Sequence, residues 1–298
     1  MAYFNFTVDE QEAETRLDKF LAKKLPKISR SYLQKSRFKV NERIVTKNFR
    51  LKANDKVWLA LPALKDLTIQ AEKIPLEIIF EDSEVLVINK PAGMLCHPTD
   101  RGGQISGTLI NALLFYFRKT QTPFGLVHRL DRETSGLLLI AKTVNAKKKL
   151  AQQFYERSIT KRYLALVSGR LKALRGLIEA PLIRHPVKRT SQKIAADGRD
   201  ARTEFQVLAE FAEATLLKIN LLTGRTHQIR VHLKSLQHPV LGDQVYGFPR
   251  VNQQLKPPRL FLHAYYLRFR HPKLEQEINL EIPLPRELKD FLTSLRSV

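Results

Sequence analysis

The spacing of apolar residues near the N-terminus predicts a small domain of helices followed by strands. Apolar side chains within residues 16–25 recur at helical spacing, with Thr15 as the expected N-cap, and a second helix is expected to begin at Ser29. The stretches 39–45 and 56–62 alternate apolar and polar residues, which is typical of short strands. These elements predict a small α/β module.

The remainder of the chain shows strand patterns interrupted by a few helices. Two strands around an Asp-Ser turn are expected within residues 77–90, and residues 137–141 read as a buried strand. Further strands are expected at 161–167, 203–210, 215–222 and 260–269, and helices at 145–157, 226–236 and 286–295. Asn145 is the expected N-cap of the first of these helices. Because strand runs with scattered helices differ from strict alternation, we predict an α+β fold with a mixed, largely antiparallel central sheet and flanking helices.

The distribution of glycine divides the chain into two parts. All 12 glycines lie between Gly93 and Gly247, so the residues before Gly93 contain none. A length of 298 residues also corresponds to about two domains. We therefore predict a first domain at residues 1–65, a linker at 66–76 and a second domain at 77–298.

The chain is strongly basic. It carries 51 Lys and Arg against 29 Asp and Glu, a formal net charge of +22. Such an excess indicates a polyanionic partner, and nucleic acid is the first candidate because counterion release favours its binding. A membrane surface is the competing candidate, but the termini supply neither a basic amphipathic helix with bulky apolar anchors nor a lipidation signal. We therefore expect a nucleic-acid partner and no membrane.

The N-terminus and the cysteine and histidine content further narrow the class of protein and the kinds of site it can contain. The first residues lack the basic and apolar regions of a signal peptide, so a cytoplasmic protein is expected. Cys96 is the only cysteine, which excludes an intramolecular disulfide and a thiolate zinc site. His227 and His232 are five residues apart and belong to no metal-binding motif, so solvated or RNA-facing side chains are expected. The sequence predicts no metal site.

The most unusual motif is VHRLDRETSGLLLIAK at residues 127–142, where polar residues precede an apolar strand. Chemistry is often placed on such loops, and Asp131 is the candidate reactive group. The alternative is that Asp131 is an Asx-turn residue that accepts bonds from backbone amides, with Gly136 supplying an unusual backbone conformation. A glycosidase pair with Glu133 is disfavoured because residues two apart in a loop rarely face each other across a sugar.

Two further motifs combine basic and aromatic residues. In LLTGRTHQIRVHL at residues 221–233, a strand ends before a helix whose unpaired amides are expected to accept phosphate. Arg225, His227 and Arg230 cluster at this helix start, and a plain basic amphipathic helix is the alternative. In KRYLA, Tyr163 lies in the middle of a strand, where an ordinary core tyrosine is the alternative.

Four motifs resemble the RluA-type pseudouridine synthases: HRLDRETSG, KRYLA, TGRTHQIRVHL and RLFLHAYYLRF. VINKPAGMLCHP and SGTLINALL upstream look like the same family, so the resemblance spans residues 77–295. The N-terminal TRLDKFLAKKLPKISRS resembles the RNA-binding domain named after the fourth protein of the small ribosomal subunit. The resemblance implies a catalytic cleft in the second domain and RNA binding by the first.

The resemblance also implies a reaction and the residues that carry it. A uridine within RNA is detached from its ribose, rotated and rejoined through carbon 5, with no metal, nucleotide or redox cofactor. Asp131 would be the nucleophile, and Arg230 would pair with it and keep it ionised. Tyr163 would stack on the flipped uracil and assist proton removal from carbon 5, while Leu262 closes the other face of the ring.

The remaining implied contacts are with RNA. Arg129 would fill the space that the flipped base vacates or hold the flipped backbone. Phosphates would be bound by Lys90, Arg225 and the basic loop 184–202, with His227 facing the RNA. In the first domain, the basic face would consist of Arg30, Lys35, Arg37 and Lys39.

The resemblance favours large-subunit ribosomal RNA, or an assembly intermediate that contains it, as the partner of a monomeric enzyme. A transfer-RNA uridine is the alternative within the same chemistry. A non-catalytic RNA-binding or ribosome-assembly factor is the alternative from another class. The presence of Asp131, Tyr163 and Arg230 together argues against this last alternative.

Overall fold

The protein is described by a computed structural model that covers residues 2–26, 28, 36–61, 69–98, 105–188 and 190–296. The chain divides into two compact units, Met1–Thr68 and Ile69–Val298. Within the described ranges, no helix is long and apolar enough to span a membrane.

The first unit is a four-stranded antiparallel sheet with one described α-helix. Its elements are β1 (Ala2–Thr7), a 3-10 turn (Glu10–Glu12), α1 (Leu17–Lys24), β2 (Arg37–Val40), β3 (Arg43–Ile44) and β4 (Lys56–Leu61). The strand order is β1-β4-β2-β3. Phe20 and Leu21 of α1 are buried against Val57 and Leu59 of the sheet, which gives this unit its own apolar core.

The helices of the first unit differ from the sequence prediction at the start of α1. Thr15 is not the N-cap of α1, because Arg16 holds that position without a side-chain cap. The carbonyls of Phe49 and Lys47 accept the first helical amides instead, so a capping side chain is unnecessary. The predicted helix from Ser29 lies outside the described residues, and so do its basic residues Arg30 and Lys35.

The second unit contains most of the secondary structure. Its strands are β5 (Glu77–Glu81), β6 (Val85–Lys90), β7 (Gly125–Leu126), β8 (Ser135–Ala141), β9 (Thr160–Ser168), β10 (Arg175–Glu179), β11 (Leu182–Arg184), β12 (Gln192–Ile194), β13 (Arg202–Glu210), β14 (Ala214–Leu221), β15 (Leu262–Arg270) and β16 (Glu277–Glu281). Its described helices are α2 (Leu109–Tyr116), α3 (Val144–Tyr155), α4 (Gln228–Ser235), α5 (Pro249–Leu255) and α6 (Arg286–Ser294).

Ten of these strands form one large sheet in the order β10-β13-β14-β9-β15-β8-β6-β5, with β16 paired to β15 and β7 paired to β8. Among the described strands, the pair β15 and β8 is parallel and the other pairs are antiparallel. The predicted α+β fold with a mixed, largely antiparallel sheet is therefore confirmed.

Strand β8 shows why the helices lie on both faces of the sheet. All seven of its residues are buried. Leu138 packs on one face in the same core cluster as Leu113 of α2, whereas Leu139 belongs to the cluster on the other face with Leu150 of α3. A strand covered on both sides reads as a continuous apolar run, which explains the LLLIA pattern in the sequence.

The ends of two helices differ from the sequence prediction. Thr143, not Asn145, caps α3, and its hydroxyl accepts a hydrogen bond from the Ala146 amide at 3.0 Å. Helix α4 begins two residues later than expected because His227 adopts a left-handed conformation with φ of 56°. The turn before it is closed by the side-chain oxygen of Gln228, which accepts the Arg225 amide at 3.0 Å. That amide is therefore already paired, contrary to the expected open helix start.

Candidate active site

A cleft of about 560 Å³ opens where four distant motifs meet on the large sheet. Its walls come from the 127–134 loop, from Lys161 and Tyr163 of β9, from the 221–230 segment and from Leu262 of β15. These segments are far apart in the chain, and the central strands bring them together. The cleft is the candidate active site.

The loop that carries Asp131 is held by backbone contacts. The Gly93 amide donates to the Arg132 carbonyl at 2.8 Å, and the Thr134 amide donates to the Asp131 carbonyl at 3.2 Å. Gly136, the second residue of β8 after the loop, has φ of 119°, and a Cβ atom there would lie 2.3 Å from the Ala264 carbonyl oxygen. Only glycine fits so close to the neighbouring strand, so this residue lets the start of β8 pair closely with β15.

Lys90 has a different role from the predicted phosphate contact. Its side chain is fully buried, and its ammonium donates to the carbonyls of Pro91, Met94 and Arg132 at 2.6, 3.0 and 3.2 Å. Burial lowers the pKa of Lys90 to about 8. The prediction is wrong because the ammonium is hydrogen-bonded to backbone carbonyls beneath the Asp131 loop and cannot reach RNA.

Asp131 presents its carboxylate to the cleft. Its side chain is 17% exposed, and its Oδ2 lies 3.9 Å from Nη1 of Arg230. The Thr134 amide binds the backbone carbonyl of Asp131, and within the described residues no hydrogen bond reaches the carboxylate. The Asx-turn alternative therefore does not describe this loop.

Arg230 is buried and is held by a second aspartate. Its Nε and Nη2 donate to Oδ2 and Oδ1 of Asp243 at 2.6 and 2.7 Å, which is a bidentate ion pair. Burial alone would lower the pKa of Arg230, but the bonds and charge of Asp243 and the charge of Asp131 raise it. The guanidinium is thus a permanent cation with one nitrogen directed at Asp131.

Asp243 was not predicted from the sequence. Burial would raise the pKa of its carboxyl, but Arg230 and two backbone amides lower it. Those amides belong to Val245 and Tyr246 and donate at 2.8 and 3.0 Å. Gly242 precedes it with φ of 76°, and a Cβ atom there would lie 2.0 Å from a backbone oxygen. The signal was an aspartate in a glycine-flanked turn, which is common in loops and carries little information alone.

Tyr246 and His227 complete this side of the cleft. The Tyr246 hydroxyl lies 2.9 Å from Nδ1 of His227, and its ring centroid lies 5.2 Å from the Arg230 guanidinium. Burial lowers the pKa of His227, against the opposing charges of Asp131 and Asp243. His227 is therefore mostly neutral near pH 7, and it lines the cleft as a hydrogen-bonding ring.

Tyr163 and Leu262 line the same cleft and are both buried. Burial, followed by the nearby charge of Asp131, raises the pKa of the Tyr163 hydroxyl. The phenol therefore stays protonated at neutral pH, and it presents a neutral aromatic ring to the cleft. An uncharged ring of this kind suits stacking on a nucleobase.

The sequence model for RNA pseudouridylate synthases matches residues 84–235, about half of the chain. This chain belongs to the RNA pseudouridylate synthase family. The resemblance to RluA-type synthases is confirmed, and the protein is an RNA pseudouridine synthase. The matched segment contains Asp131, Tyr163 and Arg230 but ends before Asp243 and Leu262.

Relatives match this synthase over nearly its full length. Ribosomal large subunit pseudouridine synthase D of Nitrosomonas europaea is 41% identical and covers 98% of this chain and 88% of its own. An RNA pseudouridine synthase of Aquifex aeolicus is 42% identical, with coverages of 95% and 94%. Ribosomal large subunit pseudouridine synthase D of Salmonella typhimurium is 36% identical, with coverages of 98% and 94%.

A solved structure agrees with this assignment. Human RNA pseudouridylate synthase domain containing 1 has a TM-score of 0.62 and 29% identity, and the match covers 76% of this chain and 91% of the human chain.

The other predicted RNA contacts of this synthase are only partly at the cleft. Arg129 is exposed at the rim, and Arg225 is half-buried there with its Nε donating to the Asp200 carbonyl at 3.0 Å. His232 is neither solvated nor RNA-facing. It is fully buried, with its ring nitrogens 2.9 Å from the Thr203 hydroxyl and from the Ala180 carbonyl.

Two partly buried titratable side chains, His128 and Lys161, also belong to the sequence motifs of the synthase. The Leu139 amide donates to Nε2 of His128 at 2.9 Å, whereas Nδ1 has no partner among the described residues. Burial lowers the pKa of His128 to about 3 and that of Lys161 to about 8. Both line the cleft beside Phe154. Within the described ranges, no group of three or more His, Cys, Asp or Glu residues could hold a metal ion.

Proposed function

We propose that this synthase converts uridine to pseudouridine in large-subunit ribosomal RNA, with Asp131 as its nucleophile. One observation carries the catalytic part: the Asp131 carboxylate faces the cleft 3.9 Å from Nη1 of a buried arginine. Relatives that span almost the whole chain are named as ribosomal large subunit pseudouridine synthases, which supports the choice of substrate.

The isomerisation breaks the bond between ribose C1′ and uracil N1 and forms a bond between C1′ and C5. The proton on C5 is lost and N1 gains one, so no atom is added or removed overall. A carboxylate suits this exchange because it can form a covalent bond and later leave, dividing one difficult step into two. The carbon that Asp131 attacks belongs to the sugar or to the base. Because the balance is complete without an oxidant or co-substrate, we propose that the reaction uses no cofactor.

Arg230 keeps Asp131 ionised and oriented, and its separation of 3.9 Å can shorten when substrate excludes water. Tyr163 stacks on the extruded uracil, and Leu262 closes the other face of the ring. Because burial raises the pKa of Tyr163, its hydroxyl relays or donates a proton more readily than it acts as a phenolate base.

Polar side chains at the cleft contact the RNA backbone. Arg129 occupies the space left by the flipped base, and Arg225 and His227 contact the neighbouring phosphates. We assign the catalytic role to residues 77–298 and RNA delivery to residues 1–65, joined by the linker 66–76. We propose that the enzyme works as a monomer in the cytoplasm, where large subunits are assembled.

Mapping pseudouridines by carbodiimide treatment and primer extension in cells with and without the protein tests this function. We expect one or more large-subunit sites to disappear and to return with the wild-type gene but not with Asp131→Asn. A site lost only from transfer RNA would contradict the substrate. If no pseudouridine were lost from any RNA, the assigned activity in the cell would be wrong.

A further inference from the structure

The sheet of the first unit has one face packed against α1 and another face whose larger side chains are half-buried or exposed. Side chains alternate between the two faces along each strand. In β4, Val57 and Leu59 are buried, and Trp58 between them lies on the open side. In β1, Phe6 packs on the core whereas Tyr3 is 59% exposed. The open side therefore carries aromatic residues that do not contribute to the core.

These aromatic residues form a cluster with a cation. The rings of Tyr3 and Trp58 are stacked, with centroids 5.7 Å apart and planes inclined by 28°. The Lys39 ammonium lies 5.2 Å from the centroid of the Trp58 ring. Lys39 and Asn5 are paired directly opposite Trp58 in the two neighbouring strands, so all of them share one face. We call Tyr3, Trp58 and Lys39 the aromatic face.

The surroundings of the aromatic face are mostly basic. A groove of about 710 Å³ is lined by Trp58 and Lys39 of this face but not by Tyr3, and its other charged lining residues are Lys56 and Glu42. Arg37 is exposed two residues before Lys39 on the same strand, and therefore on the same side of the sheet. Ile44, paired opposite Lys39, is 84% exposed. Stacked rings, an exposed apolar side chain and surplus positive charge together complement a polyanion that carries flat apolar groups.

We propose that the aromatic face binds a single-stranded segment of the RNA substrate. A base stacks against the Tyr3 and Trp58 pair, and the flanking phosphates contact Arg37, Lys39 and Lys56. Base–aromatic stacking tolerates any base, so this face holds RNA without choosing the modified uridine. The proposal rests on the proposed RNA substrate and adds a second contact area, separate from the catalytic cleft. A base-paired duplex does not suit it, because its bases are already stacked on one another.

Trp58 is the only tryptophan in the chain, so tryptophan fluorescence of the full-length protein reports on this face alone. The probe is a single-stranded A/C oligonucleotide of roughly 12 nucleotides, within the usual range of single-strand site sizes. It contains no uridine and cannot be a substrate. We expect saturable quenching of Trp58 emission at low salt, and much weaker quenching by the same sequence as a duplex.

Variants on and off the face sharpen this test. Tyr3→Ala should weaken oligonucleotide binding by about tenfold, because a stacking contact is lost. Lys39→Gln should weaken it less and reduce the salt slope by about 0.7, as expected for one phosphate contact. Lys52→Gln removes an exposed cation elsewhere in the unit and should change neither value. Trp58→Phe, followed by fluorescence anisotropy of labelled RNA, should keep most of the affinity because the ring is retained.

Two results would overturn the proposal. One is unchanged Trp58 emission while anisotropy shows that the labelled oligonucleotide binds, which would place single-stranded RNA elsewhere. The other is a Trp58 response to RNA-free large-subunit proteins and none to RNA, which would identify a protein partner.

Tritium release separates this proposal from the proposed function. The substrate is a short RNA stem-loop that contains a uridine, present at saturating concentration. Lys52→Gln, the control off the aromatic face, should release tritium at the wild-type rate. A wild-type protein without tritium release would contradict the proposed function, whereas the emission of Trp58 decides the role of the aromatic face independently.

Discussion

The two sides of the active-site cleft are held in place by different interactions. On the Asp131 side, backbone hydrogen bonds, the buried ammonium of Lys90 and the glycine conformation at Gly136 position the loop. On the Arg230 side, one bidentate ion pair with Asp243 positions the guanidinium. The position of the carboxylate therefore depends on the local backbone, and that of its partner depends on a side-chain contact 13 residues away. Each side can be disturbed without the other.

The largest effect is expected for Asp131→Asn, which replaces the nucleophile with an amide of the same shape. Turnover should fall by at least about a thousandfold, whereas RNA affinity should stay near the wild-type value. Tritium release and filter binding measure the two quantities. Activity within tenfold of the wild type would exclude Asp131 as the nucleophile.

A substitution on the Arg230 side of the cleft should reduce turnover less than Asp131→Asn does. Asp243→Asn keeps an oxygen for the amides of Val245 and Tyr246 but removes the charge that holds Arg230. We expect kcat to fall by up to about a hundredfold with little change in RNA affinity, because a displaced guanidinium orients Asp131 poorly. Asp197→Asn, at an exposed position, is the matched control. A loss of RNA affinity with normal kcat would contradict the positioning role.

A substitution of Lys90, which supports the Asp131 loop, should mainly lower the stability of the protein. Lys90→Met leaves three carbonyls without their donor, so the free energy of unfolding should fall by about 1–3 kcal/mol near neutral pH. Turnover should fall only a fewfold, because the backbone bonds of the loop remain. Urea unfolding followed by circular dichroism measures the change in stability.

The same pair of proteins gives a pH test. Burial lowers the pKa of Lys90 from its ordinary value of 10.5 to about 8, so between these values the unfolded chain binds more protons than the folded one. Wild-type stability should therefore rise relative to Lys90→Met as pH increases through this window, by up to about 3 kcal/mol. If the free energy of unfolding depended on pH in the same way in both proteins, the lowered pKa of Lys90 would be contradicted.

The smallest effect is expected at the rim. Arg225→Gln should weaken RNA binding severalfold and reduce the salt slope by about 0.7 to 0.9, as expected for one phosphate contact. Its single-turnover rate at saturating RNA should equal that of the wild type, in contrast to changes at Arg230. A slower chemical step in this variant would place Arg225 in the catalytic machinery.

Local patterns predicted much of the fold but little of the support around the site. The apolar run in β8 and the paired strands β5 and β6 were visible because burial on a sheet leaves a periodic pattern. Helix ends were less accurate, since neighbouring carbonyls replaced a cap at Thr15 and a left-handed residue, His227, delayed α4. Such details depend on tertiary contacts.

The active site shows the same difference between what local sequence patterns reveal and what depends on tertiary contacts. The motif around Asp131 was visible as an unusual local sequence, whereas Asp243 was hidden because its partner is reached only through the fold. Lys90 and His232 looked like candidate RNA contacts, but buried carbonyls and hydroxyls satisfy them in the structure. A basic or titratable residue in a sequence does not reveal whether solvent or the protein interior surrounds it.

The central claim is that Arg230 serves Asp131 in catalysis and not only Asp243 in folding. The double variant Arg230→Gln with Asp243→Asn tests it most directly, because it replaces the ion pair with a neutral pair, so that neither position holds an unpaired buried charge. We predict near-normal thermal stability and RNA affinity, and a single-turnover rate at saturating RNA at least about a hundredfold below that of the wild type. A folded double variant with a wild-type single-turnover rate would contradict the claim and reduce Arg230 to a structural residue.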